Sequence, residues 1–461
     1  MPPILSRCVA IHLLKLLSIA ALLAGALMLA DHPVWAQAGK DGAAATDDKG
    51  TGDDKADDQK TTPAAEDQPD ADQPEEPDAI PVGVAETGNW VKPKVDLAQK
   101  SQEPQIRHIL QKGAFENDDQ AVYDRFFQTY FFPSWADLTL ITKVHDQRTK
   151  LHTFFNQSRS AQLHDHLLAL SMRFLKILAA TNFHPAARYN AMLAIGELND
   201  AEASGPNPAV PHAGAVAVLV DSLKKGPSDA LRVAALRGLL RHCGLGIANA
   251  QVRDSQVIPA LLELATSRPP KDRSPEGHAW MRTLAIESLA ALRVSGVAGA
   301  AAIGPNGVLD ALVKIMGDPA SPLSVKCAAA RALGSISPAP QFSTTPAQMA
   351  GLLRQLTADF CEAELDRYKK FPDTSVFRRE VRQRLNDVKK ALDGYPGLGE
   401  AATGLAQEVH SLIAKLDADK DAKDDVKTKD IEESLSRLKS QGPAAPAAAT
   451  ASAPRGDAAV Q

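Results

Sequence analysis

The chain has 461 residues, 44% hydrophobic, 23% charged and 5% aromatic, with a formal net charge of −5. That charge is unevenly placed. Residues 39–79 hold 14 Asp/Glu against 4 Lys, a net of −10, and residues 1–38 add +1, which leaves +4 on residues 80–461. This balance excludes an acidic globule, a strongly basic nucleic-acid binder and a polytopic membrane protein.

Residues 1–38 read as an export signal. Arg7 and Lys15 make a positive start, Leu16 to Ala30 is an uncharged run of 15 residues, and Pro33 precedes Ala36-Gln37-Ala38, a small-x-small cleavage pattern. Fifteen residues at a 1.5 Å rise fall short of a hydrocarbon core of about 30 Å, so cleavage is expected, with an uncleaved anchor as the alternative. Cys8 lies before the apolar run, where a lipoprotein cysteine would follow it. The expected location is the periplasm or the exterior, with no membrane span once the signal is removed.

Residues 39–101 read as a disordered acidic linker, because a segment this polar cannot bury enough surface to offset its ordering entropy. Residues 102–166 read as an aromatic-rich helical cap. Ten of the chain's 22 Phe/Tyr/Trp fall in 115–155: Phe115, Tyr123, Phe126, Phe127, Tyr130, Phe131, Phe132, Trp135, Phe154 and Phe155. Asp118 or Asp119 caps a helix whose face carries Tyr123, Phe127 and Tyr130, and Pro133 ends it. The cluster is either a core closing the open end of a helical array or an exposed docking surface.

Residues 167–340 carry an internal repeat. HPAARYNAMLAIGEL (184–198), SDALRVAALRGLL (228–240), HAWMRTLAIESLAAL (278–292) and PLSVKCAAARALGSI (322–336) align without gaps. Their leading cations, Arg188, Arg232, Arg282 and Lys326, are spaced by 44, 50 and 44 residues. Three positions on stands Ala191, Ala235, Ala285 or Ala329; six positions on, the small Ala194, Gly238, Ser288 or Ala332. Small residues there let a neighbouring helix approach closely. Ahead of each lies a second amphipathic stretch: Leu167–Leu178, Ala215–Leu223, Val257–Ala265 and Val308–Met316. Ser274-Pro275, Ser321-Pro322 and Thr345-Pro346 each set a hydroxyl cap before a Pro at the first helical position. A unit of two helices cannot bury its apolar face alone, so stacked units are expected.

With VIPALLELA (257–265), MRTLAIESLAAL and LVKIMGDPASPLSVKCAAARALGSI (312–336), the segment 165–340 resembles the HEAT-repeat family. The resemblance rests on Pro259 in a first helix, Asp318 between helices and the second-helix cations Arg282 and Lys326. It departs from the family pattern at the inserted loop 267–277 and where other units lack the inter-helix Asp. It implies an all-α fold: an α-solenoid of about four helix-pair repeats with helical caps and disordered N- and C-terminal segments. The four cations are read as either an internal hydrogen-bonding ladder or the lining of a groove.

Residues 341–417 read as a C-terminal helical cap built from Pro346–Lys370 and Thr374–Leu392, and 418–461 as a further helix with an Ala/Pro-rich tail. In 367–390 there are 9 Lys/Arg against 3 Asp/Glu. Phe377, Val381, Leu385, Val388 and Leu392 mark the inward face, leaving Arg378, Arg379, Arg382 and Arg384 as a solvated face, a surface for an anionic partner or a site for the chain's own acidic segment folding back. Leu398, Leu405, Val409, Leu412 and Leu416, then Ile431, Leu435 and Leu438, are spaced for packing on the last repeat.

Signs of catalysis are missing from the sequence. No H-E-x-x-H, G-x-S-x-G, Walker A, C-x-x-C-H or nucleotide-binding glycine motif appears, so no catalytic, cofactor-binding or metal residues are assigned. His164-Asp165-His166, near His145 and His152, is the one histidine cluster, but i, i+2 spacing sends two imidazoles to different helix faces. Asp417, Asp419 and Asp421 resemble a calcium loop that lacks its Gly and its terminal Glu. Cys243 and Cys327, in apolar helical patterns, read as buried free thiols, and one disulfide among Cys243, Cys327 and Cys361 is possible, with no pair chosen by the sequence. The expectation is an exported, non-enzymatic scaffold for an unidentified protein partner, without nucleic acid or cofactor. The rivals are a metal-dependent enzyme using the His-rich helices and an envelope spacer.

Overall fold

The computed structural model describes residues 89–298, 303–418 and 424–440. The export signal and Cys8, the acidic segment 39–79, Asp419 and Asp421, and the tail from 441 lie outside the described residues. Within them the chain is all-α apart from one small hairpin, with fifteen helices of seven residues or more. No helix there is long and apolar enough to cross a membrane.

The first three helices are α1 (Glu103–Lys112), α2 (Asp119–Arg125) and α3 (Val144–Gln157). α4 (Ala161–Ala180) and α5 (Pro185–Glu197) form the first pair of the repeat region, followed by α6 (Ala213–Lys225) with α7 (Asp229–Leu245) and α8 (Ile258–Thr266) with α9 (Pro275–Leu292). α10 (Gly307–Gly317) with α11 (Leu323–Leu333) and α12 (Pro346–Lys370) with α13 (Thr374–Gly394) complete five pairs. α14 (Thr403–Ala418) packs on α13, and α15 (Asp424–Ser440) lies against α12 and α14.

Packing follows chain order. Within each pair the two helices lie against each other, and the second helices form a row in which α5 packs on α7, α7 on α9, α9 on α11 and α11 on α13. α3 packs on α5 at the head of that row. The last pair, read from sequence as a cap, continues the row. What permits the close approach is the small-residue set: Ala191, Ala194, Ala235, Gly238, Ala285, Ser288, Ala329 and Ala332 are all buried. Between them Ile195, Leu236, Leu239, Ile286, Leu289 and Leu333 are fully buried, each adding about 1.5–3 kcal/mol.

Local chemistry sets most helix starts. Ser160, Ser228, Ser274 and Asp373 each accept a hydrogen bond from a backbone N–H of the first turn of α4, α7, α9 and α13, and Thr345 and Gln348 form a capping box on α12. Ser321 departs from the expectation. α11 starts at Leu323 with no side-chain cap, and the Ser321 hydroxyl instead donates to Asp318 Oδ2 at 3.0 Å.

The aromatic segment also departs from it. After α2 the chain makes a π-helical turn over Phe126–Phe131 and runs on through Phe132–Ser134, so the helical run ends one residue beyond Pro133 and the departure is the π-helical turn within it. The wider turn brings Phe126 and Phe131 to the core along with Tyr123, Phe127 and Tyr130. Nine of the ten aromatics are buried and Phe115 is partly so, with Phe154 edge-on to Phe126, Phe127 and Phe131. The cluster is a core, not an exposed docking surface.

Two features lie beyond the sequence reading. Residues 89–101, placed there in the linker, run along the body: Val91 N–H donates to Asn182 O, Asp96 N–H to Thr129 O, and Trp90 stands edge-on to His184. Between α5 and α6 the chain forms a hairpin of β1 (Asn199–Ala201) and β2 (Val210–Pro211), antiparallel, with Asn199 opposite Pro211.

Candidate functional site

Arg188 and Arg282 occupy the same place in the first and third units and do the same thing. Arg188 Nε donates to Ala179 O at 3.2 Å, and Arg282 Nε to Ala265 O at 2.8 Å. Both carbonyls lie in the last turn of the first helix of the pair, where intrahelical donors run out and a cation meets the negative end of the helix dipole. Arg282 Nη2 also donates to Ser321 Oγ at 3.1 Å, and Asp318, which accepts from Ser321, pairs with Arg268 at 3.1 Å. Arg282 is 3% exposed, Arg188 6% and Lys326 8%, so these three do not line an open groove.

Arg232 is placed differently. Its side chain is 27% exposed and Nη1 contacts Asp229 Oδ1 at 3.0 Å. Arg273, from the inserted loop, adds a bidentate grip on Asp229 at 2.8 and 2.7 Å. Burial pushes the Asp229 carboxyl up, but the hydrogen bonds from Arg273 and Arg232 outweigh it and hold it below the usual range.

A second set of ion pairs crosses the row, and the sequence reading missed it. Arg331 on α11 bonds Glu287 on α9 and reaches Asp387 on α13 at 3.4 Å. Glu287 and Arg331 each stand five residues after their unit's cation, so their shared register was a usable signal. Arg241 similarly ties α7 to the preceding unit through Gly196 O and Asn199 Oδ1. Asp387 is buried, and burial pushes its carboxyl up to about 6 despite Arg331 and Arg384 nearby.

The four arginines proposed as one anionic-partner surface separate into two groups. Arg384 turns inward, its Nε 3.3 Å from Oε1 of the buried Glu364, which Arg367 also holds at 2.8 Å. It therefore belongs to the α12–α13 contact and is removed from the surface. Arg378, Arg379 and Arg382 line an opening of about 430 Å³ with Ser375, Gln383, Asn386, Leu416 and Asp417. Arg379 pairs only loosely with Glu380, at 3.5 Å, and Arg382 Nη1 meets Asp417 Oδ1 at 3.2 Å.

The histidines do not converge. His152 meets Glu197 at 2.9 Å, His166 meets Asp124 at 2.6 Å, His164 lies 3.8 Å from Glu202, and His145 faces Arg148. The nearby carboxylate of Glu202 raises the His164 pKa above its usual value. Among the described residues no three His, Cys, Asp or Glu side chains are grouped to hold a metal ion. Cys243, Cys327 and Cys361 are free and buried, and burial pushes each thiol up to about 12.

A scan against protein-family models and searches of curated proteins and of solved structures returned no match to this chain.

Proposed function

We propose that the chain is an exported, non-enzymatic α-solenoid of the HEAT type that serves as a scaffold for another protein in the periplasm or cell envelope. One observation carries the reading: five helix pairs stack in chain order, and polar side chains bind both levels of the stack, Arg282 joining the helices of its own pair through Ala265 O and reaching the next pair at Ser321, and Arg331 reaching Asp387 of the pair after its own. In such an array each unit covers its neighbours, and the outer faces of the row remain for a ligand. The Arg282–Ser321–Asp318–Arg268 chain adds support, since it engages the second-helix cation and inter-helix Asp on which the HEAT resemblance rests.

Native purification from the host tests the reading. The expected result is a stoichiometric protein partner identified by mass spectrometry, in the envelope or periplasmic fraction. A partnerless cytosolic protein, or one that turns over a substrate, would end it.

A further inference from the structure

The outer face of α13 carries a basic stripe. Ser375, Arg379, Arg382, Asn386 and Lys390 recur at three- and four-residue steps and are all exposed. Two openings run along this helix, of about 430 and 360 Å³, and they share Asn386. Arg379 and Arg382 line the first, and Lys389 and Lys390 the second. The side chains of Arg379 and Arg382 are 71% and 57% exposed, far more open than the inward Arg384.

We infer that this stripe is the docking site for an acidic, extended peptide segment of a partner protein. This deepens the scaffold reading above and rests on it. Three properties select that occupant. The sixteen residues from Ser375 to Lys390 span about 22 Å at a helical rise of 1.5 Å, the length of about seven residues of extended chain. Two adjoining openings along one helix suit a chain better than the plane of a membrane. Arg382 already carries a carboxylate, that of Asp417, at 3.2 Å, in the charge-assisted contact an incoming Asp or Glu would make with Arg379.

The test is fluorescence anisotropy of a labelled octa-glutamate peptide titrated with the full chain. The wild type should bind saturably, and more weakly as salt is raised. The R379E/R382E variant should bind at least ten-fold more weakly, with R379Q/R382Q in between. K224E/K225E makes the same change of net charge on exposed lysines of α6 and should stay within two-fold of wild type. Equal binding by all variants, or equal loss in K224E/K225E, overturns the site. Flotation with anionic phospholipid vesicles that depends on Arg379 and Arg382, without peptide binding, also overturns it. A partner that co-purifies equally with R379E/R382E overturns the stripe while leaving the scaffold standing.

Discussion

Gly196 on α5 and Gly238 on α7 face each other so closely that a β-carbon on Gly196 would lie 2.5 Å from the Gly238 Cα. No side-chain rotation relieves a clash with backbone, so Gly196→Ala must push the two helices apart. The expected cost is about 1–3 kcal/mol, reduced by Ala's helix preference of about 1 kcal/mol. Gly238→Ala should cost less, because its added carbon meets the Leu219 Cδ2 methyl at 2.9 Å and the Gly196 Cα only at 3.0 Å, a looser backbone contact than the reverse one. Urea unfolding of both variants checks the ranking, and a Gly196→Ala protein as stable as wild type would contradict it.

Arg282 and Arg232 hold equivalent positions in the repeat but should not be equally important. Arg282→Ala leaves Ala265 O and Ser321 Oγ without their buried donor and should cost about 2–3 kcal/mol. Arg232→Ala removes a partly exposed pair whose carboxylate keeps Arg273, and should cost below about 1 kcal/mol. Arg282→Lys should fall between, since an ammonium lacks the fork that serves both acceptors. Repeating the denaturation in 1 M salt separates the cases. The Arg232 effect should shrink, and the Arg282 effect should persist.

The helix pairs could be read from the chain because apolar periodicity, Ser-Pro starts and the repeated small residues are local signals. α12 begins and ends where its pattern says, at Pro346 and Lys370. What escaped depends on contacts between distant residues. Arg384 sits beside the apolar face of α13, and only Glu364 on α12 decides that it turns inward. Ser321 has a cap's sequence context, yet Asp318 and Arg282 engage its hydroxyl. The hairpin at 199–211 lies in a Gly/Pro-rich stretch that looks like plain loop. The Asp200 carboxylate closes its base by contacting His212 Nδ1 at 2.6 Å and accepting from Ala213 N–H.

The three buried thiols should be silent in the folded protein. With each pushed up to about 12, almost no thiolate exists at neutral pH, and burial blocks approach. Ellman's reagent should find Cys243, Cys327 and Cys361 unreactive under native conditions and all three titratable in concentrated denaturant. Fast native reaction at any of them would show that its helix pair opens.

Two buried groups give the stability opposite pH dependences in the same window. Asp387 faces Arg331, Arg384, Glu287 and Lys390, and burial holds its carboxyl at about 6, above its unfolded value near 4. Its contribution is present below about pH 4 and lost as pH rises through 6. His242 faces Arg241, His212, Asp200 and Gly196 O, and burial pushes its imidazole down to about 4, below its unfolded value near 6.5. Its contribution is present above about pH 6.5 and lost as pH falls toward 4. Each is roughly 3 kcal/mol across its range, so in the wild type the two slopes largely cancel between about pH 4 and 6. Removing one should reveal the other. His242→Gln should lose stability as pH rises from about 4.5 to 6, Asp387→Asn should gain it, and the double variant should return to the wild-type slope. Chemical unfolding at a series of pH values reads all four proteins, and single variants with identical pH dependence would refute the assignment.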